Sequence, residues 1–462
     1  MARGTMMQAL IAGLKDSDCS FAANYPGTHS QDIFFGLGGD AISANEKVAF
    51  ERAYGASIAG RRSVVSMKNV GLNTCADPYF HSIITGVNGG FVVVVTDDTK
   101  VLGSQEREDS RHFIDFFGGL WLEPNSVETA YSMGYEAFQL SEKLDVPVTI
   151  RLTSQFFTEK TGEYEQQPKV QFEGKVVHHP EKYIAYPTYW KRQSDNLAQK
   201  KKAISEYVES QYASASKRDT TDAVIVLGLC DEELETAGIE KNNSFNIAHY
   251  PLPNTAINAH VQGAASVAVY EQGDAYGLEK VLSYSNTPVF EVISNTGNSP
   301  DLPAQWKVWD HLEKLFISLK NTNPSFVLGD VGQYTVETQH IVDACLCLGS
   351  SVGVTSGVAE AGVEYPFCVV GDGAFLHSNL NALEEAKSRG VAFGIIVIDN
   401  GGSMATGGQP IIADIHSADR GVKIHELEYS NISADDIQKT LIEMKSSNAL
   451  SILYIKLEME TV

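Results

Sequence analysis

Gly371-Asp372-Gly373 is followed, after 26 residues, by Asn400. A carboxylate and an amide oxygen so spaced suit one hard divalent cation such as Mg²⁺, which takes oxygen ligands and leaves positions for water and phosphate. The surrounding sequence must bring them together. PFCVV (366–370) is a short apolar run that predicts a buried strand. AFLHSNLNALEEAKSRG (374–390) predicts a helix, with Leu376, Leu380, Leu383 and Ala386 at three- and four-residue steps. VAFGIIVIDN (391–400) predicts the next parallel strand. Asp372 and Asn400 then sit at the carboxyl ends of two strands of one βαβ unit, where open α/β sheets bind ligands. A helix starting after Gly373 aims backbone N–H groups at an anion. Cation, glycine turn and helix start together describe a diphosphate site. The bland alternative is an ordinary βαβ crossover whose turn happens to read GDG.

With this spacing, the segment resembles the thiamine diphosphate motif, a Gly-Asp-Gly followed by a downstream Asn. The resemblance implies thiamine diphosphate and Mg²⁺ as cofactors. It also implies a second domain that holds the aminopyrimidine ring and presents a glutamate to it. ISANEKVAFERAYGASIAG supplies Glu46 at the start of a helical run. Ala49, Ala53, Gly55, Ala56, Ala59 and Gly60 follow, small enough for a helix or ring to approach closely. Glu51, further along the same run, is the competitor for the role. By itself Glu46 reads equally as an acid favoured by the helix macrodipole.

The chain has 462 residues, 43% of them hydrophobic, which predicts two to four domains with substantial cores. A net charge of −23 argues against a nucleic-acid partner. No apolar run is long enough for a membrane span. The start, MARGTMMQALIAGLKDSDCS, reads as a first helix and not a signal peptide. The six cysteines are scattered and form no CxxC, which predicts a reducing, cytoplasmic setting and no iron–sulfur cluster held by this chain alone.

Strand candidates SVVSMK (63–68), FVVVVTDD (91–98) and VPVTIRLT (146–153) alternate with helix-length segments. This predicts an α/β fold of three doubly wound units. The first spans 1–160; a polar linker with one exposed helix covers 161–218; a smaller unit covers 219–300; the last, 305–462, carries the diphosphate site. The smaller unit's strands are AVIVLGL (223–229), a segment near FNIAHY, SVAVYEQ (266–272) and TPVFEVI (287–293).

Eight segments in order identify a closer resemblance: YPGTHSQDI (25–33), NEKVAFERAYGASIAG (45–60), MKNVGLNTCADP (67–78), SQEREDSR (104–111), GDVGQYTVE (329–337), CLCLGSSVG (345–353), GDGAFLHSNLNAL (371–383) and DNGGSMATGGQP (399–410). Together they resemble the alpha subunit of indolepyruvate:ferredoxin oxidoreductase, among the 2-oxo acid:ferredoxin oxidoreductases. The resemblance names the three units as pyrimidine, transketolase C-terminal-like and pyrophosphate domains of a thiamine diphosphate-binding fold. It implies Glu46 as the activating acid, and Asp372 and Asn400 as Mg²⁺ ligands with a backbone carbonyl near Gly402. It implies cofactor contacts at Gly371, Gly373, Ala374, Met404, Thr406 and Gly407, with Gly408 and Gln409 in the same closing loop. It implies that Thr28 meets the reacting end of the substrate, with its neighbour His29 a further catalytic candidate. Arg111 holds a carboxylate or lies in a polar loop, and His377 faces the site or packs within its helix. Asp330 and Gly349-Ser350-Ser351 are further cofactor turns or ordinary tight turns. A homodimer, with or without a small second subunit, is the implied assembly.

The departures bear on the reaction. SPDLPAQWKVWDHLEKL (299–315) stands where the family has a cysteine motif. Gln333 replaces a cysteine, His29 a proline and Asn69 a histidine. No cysteine-rich ferredoxin-like segment follows before Val462. These differences favour non-oxidative decarboxylation of a 2-oxo acid, such as an arylpyruvate, through an enamine. Alternatives are an oxidoreductase subunit whose clusters lie on other chains, carboligation, and a silent cofactor-binding subunit. Tyr25, Phe34, Phe35, Tyr79, Phe80 and Phe113 are candidates for an apolar substrate pocket.

Overall fold

Strands Ser63–Lys68 and Phe91–Thr96 are buried along their whole length. Such runs suit a parallel sheet covered by helices on both faces. In the computed structural model they lie side by side in the interior of a six-stranded sheet. Its order is His249–Tyr250, Leu120–Leu122, Val148–Leu152, Phe91–Thr96, Ser63–Lys68, Phe21–Asn24. The edge strand His249–Tyr250 runs antiparallel and the others parallel. The structure describes the chain except for 26–28, 41–42, 44, 98–107, 154–155, 157–159, 214–222, 230, 237, 240–243, 265–266, 272–275, 278–279, 281–311, 331, 337–338, 347–348, 404–408, 411–414, 419–420 and 458–462.

A second six-stranded sheet is parallel throughout. Its order is Ala344–Cys345, Val327–Gly329, Phe367–Gly371, Gly394–Asp399, Ser451–Lys456, Lys423–Glu428. A smaller parallel sheet carries Val267–Glu271, Ala223–Leu227 and Phe245–Ile247. Among the described residues three α/β units with mainly parallel sheets are therefore present, as the sequence predicts. The expected strand at 287–293 lies outside the described residues.

Two expectations are refined. The first helix, Met6–Asp16, is preceded by strand Ala2–Thr5, which pairs with Thr161–Tyr164. A reciprocal cap starts that helix: Thr5 Oγ1 accepts from Gln8 N–H and Gln8 Oε1 from Thr5 N–H. FNIAHY is not one strand. Phe245–Ile247 joins the small sheet and His249–Tyr250 crosses to the edge of the first. The Tyr212 hydroxyl accepts from Ala248 N–H and His249 N–H at the crossover.

The linker's exposed helix is Trp190–Gln211, fastened to the first unit where Lys200 Nζ donates to Ile83 O and Ile84 O. Among the described residues no helix is long and apolar enough to cross a membrane. Helix Glu46–Ile58 is buried from Val48 to its end. It packs on helix Ser351–Glu360 of the last unit and on its own sheet. Enclosure on both sides explains why the sequence has no apolar stripe there.

Candidate active site

Asn45 sets the first half of the site. Its side chain accepts from Val48 N–H at 2.8 Å and starts the helix at Glu46. Glu46 is half-buried, and burial raises its pKa. Gly71, in the short helix Asn69–Thr74, lies flush against it: a Cβ there would stand 2.5 Å from Glu46 Cγ.

The second half forms at the strand ends that the GDG spacing predicted. Gly371 pairs with Ile398, so Asp372 and Asn400 emerge side by side. Asp372 is buried. Its carboxylate accepts from Gly373 N–H at 2.7 Å, Asn400 N–H at 3.1 Å and Gly401 N–H at 2.7 Å. Burial raises its pKa against those donors. Gly371 N–H donates to the buried Tyr334 hydroxyl at 2.8 Å. The helix after Asp372 widens into a π turn, Phe375–Asn379, before continuing as Leu380–Arg389. Asn379 occupies that turn: it donates to Ala374 O and Asp330 Oδ2 and accepts from Val352 N–H. Such bulges often occur at functional sites.

Asp330 and the 349–351 turn join the halves. Asp330 accepts from Gly349 N–H at 2.7 Å and Ser351 N–H at 3.1 Å. Gly349 has φ +78° and no room for a side chain beside Ser378. Its carbonyl accepts from Lys47 Nζ at 3.4 Å. Lys47 follows Glu46 directly, and Ser378 lies in the π turn after Asp372. One chain thus brings the Glu46 helix onto the Asp372 helix. The sequence left Gly349, Ser350 and Ser351 as a cofactor turn or an ordinary tight turn; here the N–H groups of Gly349 and Ser351 are held by Asp330.

Glu51 is almost wholly buried and paired with Lys47. Burial pushes its pKa up to about 7; Lys47 opposes the shift and Asp330 adds to it. A Cβ on Gly353 would lie 2.5 Å from Glu51 Oε2. Lys47, Tyr334 and Asn379 were missed from sequence. The four-residue step from Lys47 to Glu51 was the one available signal.

Other expectations fall elsewhere. The Arg111 guanidinium is closed on this chain's own carboxylates: Nε lies 2.9 Å from Asp109 Oδ1 and Nη1 3.0 Å from Glu271 Oε2. It is fully buried, against the surface-loop reading. His29 has φ +63° and pairs with Asp32 at 3.1 Å. Asn69 is buried and donates to Glu108 O at 2.8 Å. Tyr79 and Phe34 are core residues, Tyr79 stacking on Phe117, whereas Phe35 is exposed, so the aromatic set does not converge on one pocket. His377 lies in the π turn. Gly402 pairs with Pro410. Thr28, Met404, Thr406, Gly407, Gly408 and the His377 side chain lie outside what is described.

Residues 330–439, from Asp330 through Asp372 and Asn400, match the family model described as thiamine pyrophosphate enzyme, C-terminal TPP binding domain. The whole chain superimposes on the thiamine diphosphate-dependent 4-hydroxybenzoylformate decarboxylase of Rhodococcus jostii with a TM-score of 0.56. The identity is 11%, over 99% of this chain and 100% of that one. The fold is that of thiamine diphosphate-dependent enzymes. Within it, the chain is related to indolepyruvate oxidoreductase subunit IorA. It is 27% identical to that of Archaeoglobus fulgidus and 28% identical to that of Pyrococcus abyssi, over 87% of this chain and 75% of each relative.

Proposed function

We propose that the chain binds thiamine diphosphate with Mg²⁺ and releases CO₂ from a 2-oxo acid. The observation that carries this reading is the Lys47–Gly349–Ser378 junction, which sets the helix beginning at Glu46 against the helix beginning at Asp372. The donor set supports the cofactor: Asp372, the Asn400 amide and a carbonyl near Gly402 are oxygen ligands of the kind Mg²⁺ takes. The remaining positions of such a cation would be open to water and phosphate oxygens. A cation there would also offset the cost of burying Asp372.

Bound thiamine diphosphate supplies a nucleophilic carbon and an electron sink for the bond to the departing carboxylate. The chain supplies the rest. Glu46, half-buried at its helix start, would be the acid–base group for the aminopyrimidine. Asp372 and Asn400 hold the cation. Asp330, through Gly349, Ser351 and Asn379, keeps the turn and the π segment in register. A second reading, a catalytic subunit that passes electrons to a cluster-bearing partner, is favoured by the oxidoreductase-subunit names of both relatives.

The test is incubation of the full chain with thiamine diphosphate, Mg²⁺ and a panel of 2-oxo acids including arylpyruvates. CO₂ and aldehyde are measured with and without a viologen acceptor. CO₂ and aldehyde without acceptor support decarboxylation; turnover that requires acceptor and partner supports the second reading. Glu46→Gln is expected to bind coenzyme yet lose turnover about 10²- to 10⁴-fold. Full activity in that variant would remove Glu46 from the role.

A further inference from the structure

Lys47 and Glu51 lie one helical turn apart on the element that presents Glu46, yet their contacts reach across to the last unit. Lys47 Nζ touches Glu51 Oε1 and donates to Gly349 O at 3.4 Å. Glu51 Oε2 rests against Gly353, in the first turn of helix Ser351–Glu360, where the macrodipole favours an acid. Gly349 is held on its other side by Asp330, which also holds Asn379 in the turn after Asp372. One path of contacts from Glu46 to the turn after Asp372 therefore runs through Lys47.

We propose that Lys47 and Glu51 are positioning residues that lock the acid-bearing helix start to the 349–351 turn and thereby set the spacing between Glu46 and the Asp372 end of the coenzyme site. This rests on the reading of that site as a thiamine diphosphate site. The burial pattern agrees with it. Glu51 is 1% exposed and Lys47 17%, so the pair is largely shielded from the solvent that makes surface ion pairs weak. Within the helix alone such a pair adds little. Its reach to Gly349 and Gly353 joins two units of the fold.

The test is calorimetric titration of the full chain with thiamine diphosphate in excess Mg²⁺, beside a thermal melt of each variant. Lys47→Met is expected to bind the coenzyme about tenfold more weakly, about 1.4 kcal/mol, in material whose melt remains a single cooperative transition above the titration temperature. Lys47→Arg, which keeps a cationic donor for Glu51 and Gly349, is expected to restore affinity to within about threefold, or about 0.7 kcal/mol. Glu51→Gln is the second variant, should Lys47→Met fold poorly, with the same loss expected. Wild-type affinity in Lys47→Met or Glu51→Gln, or loss in Lys47→Met that arginine does not restore, overturns the proposal. A wild type that takes up no coenzyme overturns the underlying reading and this proposal with it. A wild type that binds, beside variants that bind equally well, overturns the proposal alone.

Discussion

Glu51 shows how a single side chain can make pH a variable of this fold. Burial lifts its pKa from 4.5 to about 7, against the pull of Lys47. A carboxyl whose folded pKa is raised favours folding while it is protonated. Its contribution is full below about 4.5 and is lost as pH rises through about 7. The groups facing it are Lys47 on its own helix, Asp330 across the junction and Asp77 on helix Ala76–Thr85, so the two carboxylates reinforce the shift. The free energy of unfolding should therefore fall between pH 5 and 7.5 by about 1–3 kcal/mol on this account alone. Glu51→Gln should flatten that slope. Urea unfolding of both proteins at half-unit steps measures it. An equal slope in the two would assign the pH dependence to other groups.

Helix Glu46–Ile58 and helix Ser351–Glu360 meet through glycine. A Cβ on Gly55 would stand 2.6 Å from Val354 O, and one on Gly357 would collide with Arg52 O. Both neighbours are backbone, which cannot swing aside as a side chain can. Gly357→Ala should force the helices apart and cost about 1–3 kcal/mol. Coenzyme affinity should fall with it, because the same pair sets Glu46 against the 349–351 turn. A urea midpoint and coenzyme titration unchanged from wild type would show that the helices yield freely. Half of this contact was legible in the sequence. The run of alanine and glycine after Glu46 announced a close neighbour, and the apolar runs around GDG announced the strands and helix that carry Asp372. The neighbour's identity was not legible, because Gly349, Gly353 and Gly357 lie about three hundred residues away and no local pattern encodes that pairing. The π turn was hidden for the same reason: Asn379 reads as an ordinary helix position until Asp330 and Val352 are beside it.

The three units are also joined by buried charge, which decides what Arg111 does. Arg52 clamps the first unit to the last, with Nε 2.9 Å from Glu360 Oε1 and Nη1 3.0 Å from Glu385 Oε1. Arg111 ties the first sheet to the small one through Glu271, and Arg151 lies beside it in the same cluster. Arg151 contacts Asp97, Glu123 and Asp109, the Tyr250 hydroxyl donates to Glu123, and Arg111 spans Asp109 and Glu271. Burial opposes ionisation of Asp109, but Arg151 and Arg111 hold its pKa well below the usual carboxylate range. The sequence left Arg111 either holding a carboxylate or lying in a polar loop, and its partner Glu271 lies far along the chain in another unit. Removing one member of a buried pair leaves an uncompensated charge and costs about 3–5 kcal/mol. Arg111→Met should therefore lower the free energy of unfolding by that amount at neutral pH. Replacing Asp109 and Glu271 by Asn and Gln in the same chain should restore part of it, because the stranded charges go with the cation. In the folded fraction, coenzyme affinity and the KM for the 2-oxo acid should remain near wild type, since the guanidinium is spent within the protein. A stable Arg111→Met whose KM rises tenfold or more would reverse the assignment and place the guanidinium on the substrate.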